Sequence, residues 1–364
     1  MRLAIALWAQ RAVCVLIATG CNHDPSDASM VEATDAAAER ADAWLTHTLA
    51  VSPSHTCALR DAGIYCWGEN FMGQLGTGDT TESALVVKAS VLESAVAVAE
   101  VAAATGRTCI RTREGTVACW GANERGQVGD GTTQAALLPV PVPGLDDATQ
   151  LALDDGSTCV LHGRDQTVSC WGGASEDAWL PRTIQGLAGI VELRAGTQGK
   201  YCARDANHAV WCWRSDDGQW PAAEHVVALA GAKSVAVAGF DEVCALTENS
   251  EIVCHSVESG RSVALDDARD VVALNATGAL SVCASKRDRS WYCWNILRPM
   301  LESTGSPPIA VRSEVPMSEL ILSGFRACAL RDDQLVVCAN ANDIVIAGGA
   351  IAADALHVVE GLPR

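Results

Sequence analysis

Short apolar runs, each broken by a polar or glycine-containing turn, recur along the chain from residue 49 to residue 360. The first run of each unit falls at 49–51, 98–103, 150–153, 190–195, 234–239, 270–275 and 319–324. A hairpin-like pair of runs follows each of them. After a variable loop comes a last run, at 85–88, 139–142, 182–185, 224–228, 261–265, 309–312 and 357–360. Runs this short, rich in Val, Ala and Leu and bounded by Gly, Asp and Asn, read as β-strands rather than helices. The pattern predicts seven units of four strands.

Cysteine placement gives the same count. Of sixteen cysteines, Cys14 and Cys21 precede the first unit. The other fourteen form seven pairs: Cys57 with Cys66, Cys109 with Cys119, Cys159 with Cys170, Cys202 with Cys212, Cys244 with Cys254, Cys283 with Cys293, and Cys328 with Cys338. Partners lie 9 to 11 residues apart, and the first cysteines of successive pairs lie 39 to 52 apart. A period of about 40 to 50 residues with four short strands per unit is the mark of a β-propeller. The fold class predicted is therefore all-β, a seven-bladed propeller with four antiparallel strands per blade.

The spacing also predicts the pairing. Residues opposed at a non-hydrogen-bonded site of a hairpin have Cα atoms about 4.5 Å apart, within disulfide reach. A separation of 10 suits an odd loop such as Arg113-Glu114-Gly115, where glycine supplies the left-handed residue. One hairpin disulfide per blade is the expectation. Metal binding is the weaker alternative, because no Cys-x-x-Cys occurs and histidine is scarce near the pairs. Reduced thiols would require a cytosolic location.

Composition adds compartment and partner class. Arg2 and Arg11 bracket an apolar start, and residues 12–20 form an apolar run too short to span a bilayer. It ends at Ala18-Thr19-Gly20-Cys21, which resembles a bacterial lipoprotein signal with Cys21 as the lipidated residue. The expected organisation is a leader over 1–20, an acidic tether over 21–44 and the propeller over 45–364. The blades are expected near 45–90, 95–144, 148–187, 189–229, 233–266, 269–314 and 318–362. The net charge of −18 opposes nucleic-acid binding and adsorption to anionic lipid, leaving membrane attachment to lipid on Cys21.

The first two units resemble the regulator of chromosome condensation repeat. The residues carrying the resemblance are His55-Thr56-Cys57-Ala58-Leu59, Tyr65-Cys66-Trp67-Gly68-Glu69-Asn70 and Gly73-Gln74-Leu75-Gly76. Unit two repeats them as Cys119-Trp120-Gly121-Ala122-Asn123 and Gly126-Gln127-Val128-Gly129-Asp130-Gly131. Cys-Trp recurs at Cys170-Trp171, Cys212-Trp213 and Cys293-Trp294, and is replaced at Cys254-His255 and Cys338-Ala339. The resemblance implies a seven-bladed propeller. The name-giving member exchanges guanine nucleotide on a small GTPase, an activity that the leader, the charge and the cysteine pairs all oppose here. The Trp after the second cysteine is expected to pack between blades.

No catalytic constellation emerges. Gly-x-Ser-x-Gly and His-Glu-x-x-His are absent, and the Gly-rich loops lack the Lys-Ser/Thr ending of a phosphate loop. Paired acids such as Asp146-Asp147 and Asp154-Asp155 read as turn residues, and His55 and His208 as structural. No cofactor and no metal are expected. What remains is recognition by loops on a rigid scaffold. Phe71, Trp179 and Trp220 are large apolar groups in polar loops and are the candidate anchors for a protein or peptide partner, with core packing as their competing role. The expected function is a monomeric, non-enzymatic extracytoplasmic binding scaffold. A lyase or hydrolase with an axial site is the alternative.

Overall fold

The computed structural model describes residues 48–363, apart from 62, 91–96, 216–218, 240, 266–268, 277–280, 296–307, 312, 314, 324–325, 341–349 and 352–355. The leader, Cys21 and the tether lie outside the described residues. Residues 46–364 form one compact unit. It is a seven-bladed β-propeller of antiparallel four-stranded sheets.

Blade one runs Leu49–Val51, His55–Arg60, Gly63–Gly68 and Ser83–Lys88, from innermost to outermost strand. Blade two runs Val98–Ala104, Arg107–Thr112, Val117–Gly121 and Ala136–Pro141. Blades three to five begin at Ala148–Leu153, Ile190–Ala195 and Ala232–Ala238, and blades six and seven at Val271–Asn275 and Met317–Ser323. In all seven hairpins the two cysteines are direct register partners. All seven are bonded, with Cα atoms 3.9 to 4.1 Å apart. Each hairpin turn carries one residue with positive φ. Only blade two uses glycine there (Gly115, φ 85°), whereas blades four and seven use His208 and Gln334.

Bulges on the innermost strands join neighbouring blades. In blades two, four and seven the register shifts just before Glu100, Glu192 and Glu319. The Glu100 carboxylate takes Arg111 at 2.9 Å and the Leu151 amide of blade three at 3.3 Å. Gln150 accepts the Leu193 amide of blade four at 2.8 Å. Glu192 accepts Val235 of blade five at 3.3 Å. Glu319 of blade seven accepts the Thr48 hydroxyl of blade one at 3.1 Å. A buried backbone amide must find an acceptor, and Glu100, Gln150 and Glu192 supply it at three junctions.

The ring closes by packing. Leu49, Val51 and Ala58 of blade one form one cluster with Ile321, Leu330 and Val336 of blade seven, with Trp67, Val359 and Leu362 packed against it. Blade seven's outer strand, His357–Val358, pairs within its own sheet, so among the described residues no strand is shared between the end blades.

Some outer strands depart from the sequence pattern. The runs predicted at 182–185, 224–228 and 357–360 pair over two residues each, Arg182–Thr183, Glu224–His225 and His357–Val358. Past the first two ladders, Ile184 and Val226 turn inward to 1% and 6% exposure while still donating to Val168 and Val210. Their apolar character reflects burial beyond the strand rather than pairing within it. A short parallel strand, Ala350–Ile351, adds to the outer edge of blade six, and the sequence pattern gave no sign of it.

Candidate partner-binding face

Strand direction sorts the loops. The turns between first and second strands and the long loops between third and fourth strands share one end of the propeller. The hairpin turns and interblade connections share the other. Phe71, Trp179 and Trp220 all fall in the long loops.

The loops of blades one and two are built alike. The Asn70 amide group donates to the carbonyls of Asp79 and Thr81, both at 3.0 Å, and its oxygen accepts the Leu75 amide at 2.9 Å. Asn123 makes the same three bonds to Thr132, Gln134 and Val128. The Gln74 side chain accepts the Met72 amide, and Gln127 accepts that of Arg125. These side chains lock the loops from within.

Each locked loop then holds the next blade. The Gln74 carbonyl accepts the Trp120 indole N–H at 2.9 Å and the Thr108 hydroxyl at 2.8 Å. The Gln127 carbonyl accepts Trp171 at 3.0 Å and Thr158 at 3.1 Å. Trp120 and Trp171 are fully buried, as interblade packing requires. Gly76 (φ 71°) lies where a Cβ would sit 2.7 Å from the Trp120 indole nitrogen, so the loop tolerates no side chain there.

At the next junction the loop is shorter: 12 residues separate Cys170 from Arg182, against 17 between Cys66 and Ser83. Tyr201 replaces the threonine. Its ring stacks on Trp213 with centroids 5.8 Å apart, and its hydroxyl bonds Ser157 at 2.9 Å and Asp154 at 3.2 Å. Burial, then the Asp154 charge, pushes the Tyr201 phenol well above its ordinary range, so it stays neutral. The indole N–H groups of Trp179, Trp213 and Trp220 find no partner among the described residues.

The three anchor candidates are thus not brought together. Trp220 is half-buried against Tyr201, at 6.0 Å between centroids. Trp179 is half-buried against Gly126 of the blade-two loop. Phe71 stands 65% exposed beside the exposed Met72. In the otherwise matching loop of blade two, the same two places hold Glu124 and Arg125. Loop geometry therefore does not require an aromatic at position 71.

The first-turn end also carries a buried polar chain. His55 bonds the hydroxyls of Ser52 and Ser54 through Nδ1, and Thr108 of blade two through Nε2 at 2.6 Å. Burial, reinforced by the Arg326 charge, lowers its pKa to about 3. Arg107 donates to the Asp154 and Ser157 carbonyls of blade three. Lys200 reaches Asp241 of blade five. These contacts bridge blades. Sequence reading passed over them, although Arg107 and Lys200 stand two residues before a first cysteine, as His55 does. Among the described residues, no group of three or more His, Cys, Asp or Glu could hold a metal ion. No helix among them is long and apolar enough to cross a membrane.

The locked loop with its neighbour's tryptophan is the repeat unit itself. The family model described as regulator of chromosome condensation (RCC1) repeat matches residues 114–161, and a second model of that description matches 47–74 and 98–127. Residues 47–74 and 98–161 carry the regulator of chromosome condensation repeat. Similar proteins include the E3 ubiquitin-protein ligase HERC2 of Homo sapiens, 29% identical over 54% of this chain and 5% of that protein. The RCC1 domain-containing protein RUG3, mitochondrial, of Arabidopsis thaliana is 30% identical over 47% of this chain and 43% of its own length. The ultraviolet-B receptor UVR8 of the same plant is 29% identical over 50% of this chain and 45% of its own length. The chain thus spans less than half of these relatives.

Prp20p of Saccharomyces cerevisiae, solved in a study of its binding properties to Gsp1p and histones, superposes with a TM-score of 0.60 at 16% identity, over 76% of this chain and 80% of that one. The ectodomain of the Arabidopsis thaliana receptor kinase ACR4 superposes with a TM-score of 0.51 at 18% identity, over 81% and 95%. Both likenesses concern the fold. A propeller carrying these repeats is consistent with a protein-binding scaffold, and seven disulfides suggest an oxidising, extracytoplasmic environment.

Proposed function

We propose that this protein is an exported, non-enzymatic, monomeric scaffold that binds a protein or peptide partner through the long-loop face of blades one to three. The observation that carries the reading is the Phe71–Met72 pair, exposed at the tip of a loop whose twin holds Glu124 and Arg125 there. A large apolar side chain held on a rigid loop and not needed for that loop's geometry fits a binding anchor. Trp179 and the exposed Leu138 and Leu180 extend the apolar surface along the same rim.

Lipid on Cys21 would hold the molecule at a membrane. The innermost strand of blade one starts at the hairpin-turn end, opposite the long loops.

The test is capture from envelope extract on the full chain and on its Phe71→Glu variant. One saturable partner retained by the wild type and lost by the variant is the expected result. Identical recoveries on both would overturn the reading.

A further inference from the structure

We propose that the partner presents a cationic surface around an apolar socket for Phe71. This rests on the reading that blades one to three bind a protein through their long loops. The long loops and first turns of blades one to three, on the same face as Phe71 and Met72, expose Glu69, Glu82, Glu124, Asp155, Glu176 and Asp177. Among the described residues, the carboxylates of Glu69, Glu124 and Glu176 enter no hydrogen bond or ion pair. On the opposite face two acids are paired. There Arg164 pairs both guanidinium nitrogens with Asp146 at 2.9 and 3.0 Å, and His162 holds Asp147 at 2.7 Å. On the long-loop face Asp155 accepts the Thr105 amide at 3.3 Å and Asp177 lies 3.6 Å from Arg182, which leaves Glu69, Glu124 and Glu176 to solvent there.

An apolar tip on a face that also exposes uncompensated carboxylates selects by charge as much as by shape. Like-charged surfaces are repelled and basic ones are steered in. Anionic lipid and nucleic acid are disfavoured on that ground. A second copy of this chain, also at −18, is disfavoured too. A polypeptide bearing Lys or Arg beside an apolar pocket satisfies both the carboxylates and the apolar tip.

The probe is a random-peptide display library selected on the immobilised full chain, with each recovered clone retested on variants. Clones dependent on Phe71, scored by loss on Phe71→Ser, are expected to carry net positive charge and at least one large apolar residue. Their binding should weaken about tenfold in the triple variant Glu69→Lys, Glu124→Lys, Glu176→Lys, and with salt raised above the physiological range. It should be unchanged in Glu114→Lys, Glu248→Lys, Glu251→Lys, which carries the same charge change on the opposite face. Phe71-dependent clones of neutral or acidic character would overturn the cationic partner and leave the binding face standing. Equal loss in both triple variants would reduce the effect to overall charge and overturn it as well. Recovery of no Phe71-dependent clone would overturn the binding face itself.

Discussion

Trp171 and Trp213 hold the same place in successive blades, one residue after the second cysteine, yet only Trp171 has an acceptor for its indole N–H. Trp171→Phe removes one of the two donors to the Gln127 carbonyl, which keeps Thr158, and should cost about 0.5–1.5 kcal/mol. Trp213→Phe removes a donor that has no partner, so its cost should be clearly smaller. Denaturant unfolding followed by far-ultraviolet circular dichroism ranks the two, and a larger loss at Trp213 would contradict the junction chemistry. His55 supplies a second residue-scale prediction. Its pKa falls from 6.5 to about 3 in the fold because burial, and then the Arg326 charge, disfavour the imidazolium. Between those values the unfolded chain binds a proton that the folded chain does not, so stability falls as pH drops through the window. His55→Gln should flatten unfolding midpoints between pH 6 and pH 4, on the order of the ordinary histidine range. An unchanged slope would show that His55 is not the group responsible. His255, also lowered by burial, acts in the same direction, as do the lowered carboxyls of Asp147, Asp165, Asp241 and Asp288 at the acid end, so a residual slope remains.

At the scale of the element, the innermost strands gain their specificity from polar residues inside apolar runs. Glu100 is 2% exposed and serves both Arg111 and the Leu151 amide. Glu100→Ala leaves a buried guanidinium unpaired and should cost about 3–5 kcal/mol. Glu100→Gln, which keeps an acceptor, should cost less, and equal losses in thermal unfolding would contradict this role. The strands themselves were legible in the sequence, because Val and Ala runs between Gly turns admit little else. The work of Glu100, Gln150, Glu192 and Glu319 was not. A strand's period of two assigns a lone polar residue to solvent, whereas the bulge before Glu100, Glu192 and Glu319 turns the side chain toward the next blade. The lengths of the outer strands were misread for a related reason: Ile184 and Val226 look like strand residues but are buried past the end of the ladder.

At the scale of the whole molecule, blade number was legible because cysteine pairing is set by hairpin register, a local geometry that sequence spacing reports directly. Ring closure was not legible, since the contact between Thr48 and Glu319 joins opposite ends of the chain. The exposed anchor stood out only once the loops at Asn70 and Asn123 could be laid side by side. The same hydrogen bonds in both isolate Phe71 as the difference. Blades five to seven lack the Gln loop and retain their disulfides. Each bond closes a loop of about 10 residues and contributes roughly 2–3 kcal/mol in the chain-entropy account. The frame therefore rests on the staples where the packing signature has worn away. The most direct measurement of that frame is disulfide mapping of the exported protein, by alkylation before and after reduction and mass analysis of the linked peptides. The account predicts that all fourteen blade cysteines resist alkylation until reduced and that every linked peptide joins partners 9 to 11 residues apart. A free thiol among the fourteen, or a link between two blades, would contradict it.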